Sequence, residues 1–146
     1  MLFLIWSCKP LDPYKSKYDL IGNWHGRTIE ITTPTHNRVA FAMRKYGYAY
    51  YTIAKDSSYS FSMDILSDVV LEKEALGNSY AKTIIQAGYK NFRRGFYYAT
   101  NNNIIFYDAN KIKVNEENYF FTERTLFTKY LDKDNKQWLI SWEKEN

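Results

Sequence analysis

From Ser58 to Ile65 the chain alternates: Tyr59, Phe61, Met63 and Ile65 interleave with Ser58, Ser60, Ser62 and Asp64. A period of two puts each set on its own face of an extended chain, which predicts a half-buried strand. Trp138, Ile140 and Trp142 repeat the pattern near the C terminus. At the other end, Gly22 and Trp24 open a predicted first strand that runs to about Thr33, with Trp24, Ile29 and Ile31 directed at the core. A turn cluster over 32–37 contains Pro34, and a second strand is expected over 38–43, where Val39, Phe41 and Met43 alternate with Arg38, Ala40 and Ala42. The stretch Tyr46–Leu66 predicts a hairpin whose first arm is ambiguous, because Tyr occupies both faces. Pairing Ala54 with Tyr59 turns Tyr48 and Tyr50 inward; moving the register by one residue brings in Tyr51 and Ile53 instead.

Residues 67–88 depart from this pattern. Val69, Leu76, Tyr80, Ile84 and Ala87 recur at helical spacing, with Glu72, Lys73, Glu74 and Lys82 largely elsewhere. The spacing predicts a helical insertion, one broken helix or two short ones, with Ser79 as a cap and Gly88 as a stop; a strand pair turning at Gly77-Asn78 is the alternative. Beyond it, 92–100 and 104–108 predict a second hairpin about Asn101-Asn102-Asn103. Ile112 and Val114 mark a short strand, Glu116-Glu117-Asn118 a turn, and Tyr119–Leu131 one long strand. About eight or nine strands in one domain need their edges protected. Short turns between neighbours favour an antiparallel up-and-down barrel of about eight strands.

The 146 residues suit a single domain, and an apolar share of 45% argues against wholesale disorder. Tyr is abundant, at 14, and supplies an apolar body with a polar tip. The net charge of +4 is too mild and too scattered for a dedicated nucleic-acid surface. Arg93-Arg94-Gly95-Phe96 matches the start of an RNA-recognition consensus, but Tyr97 then breaks it and the βαββαβ order is missing.

Met1–Trp6 is apolar but falls short of the roughly 20 residues a bilayer span needs. Ile5-Trp6-Ser7-Cys8 resembles the lipobox of bacterial lipoproteins, with Cys8 as the lipid attachment point and 1–18 as signal remnant and tether before a domain over 19–146. The competing reading is a buried N-terminal strand with a free thiol. Lys9 after Cys8 is not the Asp that can signal inner-membrane retention, which favours the outer membrane of a bacterial envelope.

The Gly22-Asn23-Trp24 opening matches the lipocalin-like domains of bacterial lipoproteins. So do the Tyr59/Phe61 strand after Lys55-Asp56-Ser57-Ser58, and Gly95-Phe96-Tyr97 leading to Ile104-Ile105-Phe106. The chain resembles that family over most of Leu20 to Trp142. The resemblance implies a barrel whose closed end is packed by the opening tryptophan, which makes Trp24 a structural plug.

Catalytic chemistry has little material here. One Cys and two His, His25 and His36, offer no metal set, and Asp132-Lys133-Asp134-Asn135 matches a calcium loop at two acidic positions only. No nucleophile elbow, phosphate loop or dinucleotide fingerprint occurs, and no cofactor is implied. The expectation is a non-enzymatic envelope lipoprotein that binds a small apolar or amphipathic ligand in its barrel. The candidate lining is Tyr48, Tyr50, Phe61, Met63, Phe96, Tyr98 and Trp142. The alternative is a protein-binding module that uses its Tyr-rich outer face and the 67–88 insertion.

Overall fold

The computed structural model describes residues 13–75 and 78–146, with the backbone alone over 71–75 and 78–82. Cys8 and the lipobox lie outside the described residues. A 3-10 turn, Lys17–Leu20, leads into eleven strands: β1 (Gly22–Thr32), β2 (Arg38–Ala42), β3 (Gly47–Ile53), β4 (Ser58–Ile65), β5 (Val69–Ala75), β6 (Asn78–Ile85), β7 (Lys90–Ala99), β8 (Asn103–Tyr107), β9 (Lys113–Thr122), β10 (Thr125–Leu131) and β11 (Gln137–Lys144). A single helical turn, α1 (Met43–Tyr46), lies between β2 and β3.

Nine strands make one antiparallel sheet, and β11 returns to pair with β1 from Trp24↔Lys144 to Thr32↔Gln137. The sheet therefore closes into an eight-strand up-and-down barrel. Nine strands form eight staves because β2 and β3 both pair with β1, over its second half and its start respectively. Together they act as one stave interrupted by α1. Closure leaves every stave a neighbour on both sides, which removes most of the edge problem.

The alternating faces sort as the pleat requires. Trp24, Ile29, Ile31, Phe61, Met63, Ile65, Ile140 and Trp142 are all buried. In the first hairpin the pair is Ile53↔Tyr59, so Ala49, Tyr51 and Ile53 take the inward phase. Gly47 is required where that hairpin closes on itself, since a Cβ there would stand 1.9 Å from the Asp64 carbonyl oxygen.

Three expectations change. Residues 69–75 and 78–85 are strand, not helix: β5 and β6 form a separate antiparallel hairpin, paired from Val69↔Ile85 to Ala75↔Asn78. Its base is tied to the barrel by hydrogen bonds from Ile65 N–H to the Tyr89 carbonyl and from Gly88 N–H to the Ile65 carbonyl. Leu76 and Tyr80 of the expected helical face lie where no side chain is described. Second, the supposed turn at 116–118 lies inside β9, and the expected long strand 119–131 is instead two strands joined at Glu123-Arg124. Glu123 adopts φ 55° in that turn. Third, the part of the expected tether that is described is docked, not free. Tyr14 packs edge-on against Trp24 and Phe121, and its N–H donates to the Glu123 carbonyl.

That N-terminal piece plugs one end of the barrel. Asp19 fixes its turn by accepting from the Lys15 and Ser16 N–H groups, which together hold its carboxyl below the usual range. Leu20 is fully buried beneath, and its carbonyl accepts from Trp24 Nε1 at 2.8 Å.

Candidate functional site

The seven expected lining residues divide. Phe61, Met63 and Trp142 are buried and face inward. Tyr48, Tyr50, Phe96 and Tyr98 face outward, between 41% and 60% exposed. The first two follow from the Ile53↔Tyr59 register. The last two follow from the phase of β7, whose less exposed positions are Asn91, Arg93, Gly95, Tyr97 and Ala99. At the start of β7 the polar Asn91 and Arg93 thus face inward, while Phe92 and Phe96 face outward beside Lys90 and Arg94. Tyr98 borders an outer recess of about 400 Å³ with Lys17, Tyr18 and Lys55.

Much of the interior is filled by rings. Tyr51 meets Phe61 at 5.4 Å and Trp142 at 5.2 Å, both edge-on, and lies 5.9 Å from Phe106. Trp142 Nε1 donates to the buried Thr128 hydroxyl at 2.8 Å.

Arg93 and Glu117 break this apolar packing. The Arg93 guanidinium rests over the rings of Phe61, at 4.7 Å, and Phe106, at 5.7 Å. Such seating on aromatic faces stabilises a cation held out of water. No carboxylate among the described residues makes an ion pair with it, and its Nε is buried without a hydrogen-bond partner. Glu117 is only 1% exposed. Its Oε2 accepts from the Tyr51 hydroxyl at 3.1 Å, while Oε1 has no partner. Tyr59, tilted against the same Phe106 at 4.6 Å, likewise has a buried, unpartnered hydroxyl.

Burial pushes the Glu117 carboxyl up to about 7, against the Arg93 charge and the Tyr51 hydrogen bond, which both pull it down. Burial also raises Tyr51, Tyr59 and Tyr130, and the Glu117 charge adds to all three. These groups therefore share one electrostatic environment of low polarity.

A break in the barrel wall leads to Arg93 and Tyr130 of this group. β8 ends at Tyr107, so β7 pairs with it only from Phe96 onward. Asp108 crosses close over Gly95, where a Cβ would meet the Tyr107 carbonyl oxygen at 2.0 Å. The β9–β10 ladder stops at Asn118↔Lys129, although β9 begins at Lys113 and β10 continues to Leu131. In the resulting notch lies a recess of about 290 Å³ lined by Asn91, Arg93, Val114, Asn115, Tyr130, Leu131, Asp132 and Lys133. Val114 and Leu131 are exposed on its rim.

Beside it runs a groove of about 730 Å³ between residues 84–91 and the 132–138 turn, sharing Asn91, Asp132 and Lys133 with the recess. Three rings line up there. Tyr89 stacks on Trp138 at 6.1 Å, and Tyr130 stacks on Trp138 at 5.8 Å. Trp138 Nε1 donates to Asp132 Oδ2 at 2.9 Å, which holds the indole in place.

No family model, curated protein or solved structure matches this chain. The Arg93 guanidinium and the Tyr130 phenol line the recess, with Val114 and Leu131 on its rim, and the Glu117 carboxyl and the Tyr51 and Tyr59 phenols lie within electrostatic reach of Arg93. That combination is suited to holding a molecule with one polar end. Among the described residues, no group of three or more His, Cys, Asp or Glu is arranged to hold a metal ion. His25 is on the outer face, beside Tyr50 and paired with Glu145. Sequence reasoning missed Arg93 and Glu117 as site residues. The usable signal was phase: Glu117 lies two residues before Tyr119 and four before Phe121, on the inward face of one strand.

Proposed function

We propose that this protein is a non-catalytic binding protein of the bacterial envelope, tethered through Cys8, that receives a small amphipathic molecule at the barrel notch. The polar end of the ligand meets Arg93, Tyr59 and Glu117, and its apolar body lies along the Tyr89–Trp138–Tyr130 stack. One observation carries this reading. Of five buried, unpartnered side-chain polar atoms among the described residues, three belong to this single cluster. Buried polar atoms are nearly always paired, and each orphan costs about 1–3 kcal/mol, so three in one cluster, whose Arg93 lines an open recess, argue for a missing partner.

The test is native mass spectrometry of protein isolated from its own host, paired with melting curves across a panel of amphipaths. A retained small molecule, lost on Arg93→Met, is the expected result. Apo mass alone, with no amphipath raising Tm, counts against ligand binding. A carboxyl with its midpoint near 7 is also suited to proton transfer. Chemical change in a bound probe, lost in Glu117→Gln, would make Glu117 a general acid or base. The anchor is tested by labelled palmitate on wild type and Cys8→Ala, where equal labelling removes Cys8 as the attachment point.

A second reading rests on the outer face. Tyr50, Ser62 and Phe92 lie in register across β3, β4 and β7, and Phe96 follows on β7. Tyr50 is 44% exposed and Phe92 65%. Aromatics exposed this way over small serines suit a protein-binding patch. Substituting Tyr50 and Phe92 by Ser would release a protein partner and leave amphipath binding intact.

A further inference from the structure

Resting on the notch as the ligand site, we propose that its ligand carries a single carboxylate and that this group enters together with one proton, held by Glu117.

Donor and acceptor roles lead there. Arg93 Nε–H can only donate, and it is buried without an acceptor. The Tyr59 hydroxyl is a donor in the same position. On Glu117 the Tyr51 hydroxyl already occupies Oε2, which leaves Oε1 as the free atom. If Glu117 is ionised, Oε1 is an acceptor facing a buried region with nothing bound to it. If Glu117 is protonated there, Oε1–H becomes a third donor. The three orphans then form one set with one need, an acceptor group with several lone pairs. Two oxygens of a carboxylate supply four such sites, in a plane that suits a guanidinium.

Charge agrees with this. With Glu117 neutral, the inner cluster carries the single positive charge of Arg93, which a monoanion balances. With Glu117 ionised, an incoming carboxylate would bring two negative charges to one guanidinium in a dry site. The groups facing Glu117 are Arg93 from β7, Tyr51 from β3, Tyr59 from β4 and Tyr130 from β10. The phenols are held neutral by burial, so Arg93 is the sole charged group among them. Asp108 acts on Tyr59, and Asp132, which lines the recess beside Lys133, acts on Tyr130. Both are negative and oppose a second free carboxylate further. An alkylammonium head would meet Arg93, and a plain alcohol would satisfy only part of the donor set.

The proton gives the uptake its direction in pH. Glu117 is largely protonated below about 7, so carboxylate affinity is flat there. Above that point each unit of pH removes the proton from most of the empty sites, and affinity falls by about tenfold per unit.

The experiment is calorimetric titration with decanoate, decanol and decyltrimethylammonium over roughly pH 6 to 9, in buffers of different ionisation enthalpy. Decanoate is expected to bind tightest, with close to one proton taken up per molecule bound at the alkaline end. Glu117→Gln, which donates at every pH, is expected to keep decanoate and lose its pH dependence. Arg93→Met is expected to lose the preference for decanoate over decanol. Decanoate bound with no proton uptake by wild type would overturn the inference while leaving the notch as a ligand site, and so would equal binding of all three probes. That readout needs no variant, so it holds even if Glu117→Gln fails to fold. Failure of every probe to bind would overturn the ligand site itself.

Discussion

The plugged end and the notched wall treat buried polar atoms in opposite ways. In and around the plugged end the buried indoles and the Tyr119 hydroxyl have partners within the fold. Trp24 Nε1 donates to the Leu20 carbonyl, Trp142 Nε1 to Thr128, and the Tyr119 hydroxyl to the Thr100 carbonyl at 2.5 Å. At the notch, Arg93 Nε, Glu117 Oε1 and the Tyr59 hydroxyl have none. The same aromatic packing runs through both regions, since Tyr51 touches Trp142 on one side and hydrogen-bonds Glu117 on the other. The difference is therefore in polar satisfaction, not in packing. In one region the buried indoles and the Tyr119 hydroxyl are paired within the fold. The other is built around something still to arrive, at a cost in stability that the paired region can carry.

The contrast implies a ranked set of effects. Trp24→Ala removes the ring that joins Tyr14, Phe121 and the Leu20 carbonyl, and should cost about 3–5 kcal/mol in denaturant unfolding. Next comes Glu117, where the sign runs the other way. Its folded midpoint is near 7 against 4.5 for the free side chain, so the folded state binds the proton more tightly. Stability then falls as pH rises from about 4.5 to 7, and the burden of about 3 kcal/mol is fully present above 7. Glu117→Gln should flatten that slope and be the more stable protein at alkaline pH, as read by urea unfolding. A wild-type curve flat across that range would show that Glu117 is not dry.

Smaller effects follow. Gly95→Ala drives a Cβ into the Tyr107 carbonyl at the edge of the notch and should cost about 1–3 kcal/mol, with amphipath binding weakened as the wall shifts. Asp19→Ala frees the N–H groups of Lys15 and Ser16 and should lower Tm by an amount equivalent to about 1 kcal/mol, leaving the notch unaffected. Phe96→Ser on the outer face should stay within about 0.5 kcal/mol of wild type. A large loss there would mean that the outer aromatics carry the fold as well.

The barrel was legible where one face is greasy and the other wet, as in Tyr59–Ile65 and Trp138–Trp142. Closure followed from the number of such strands and the shortness of their turns. The 67–88 segment misled because Glu72, Lys73 and Glu74 are good helix formers at a spacing that permits a helix. The ladder from Val69 to Ala75 overrode that local preference. The register of β3 was undetermined because Tyr suits either face. The site itself was misread for a reason tied to what it does. At the starts of β7 and β9 the inward positions are Asn91, Arg93, Asn115 and Glu117, while Phe92, Phe96 and Val114 point out. Reading the apolar set as inward inverted the wall where the notch opens. Glu116-Glu117-Asn118 looked like a turn because a strand with polar residues on both faces loses its period-two signal. Such inversions of the burial rule are expected where a fold makes room for a polar ligand group.

The carbon-13 resonance of the Glu117 carboxyl, followed through pH with and without decanoate, tests the notch most directly. A midpoint near 7 in the empty protein, moved upward once decanoate is present, is the predicted result. A midpoint in the ordinary carboxylate range, unmoved by decanoate, would mean that Glu117 is solvated and that the notch holds nothing.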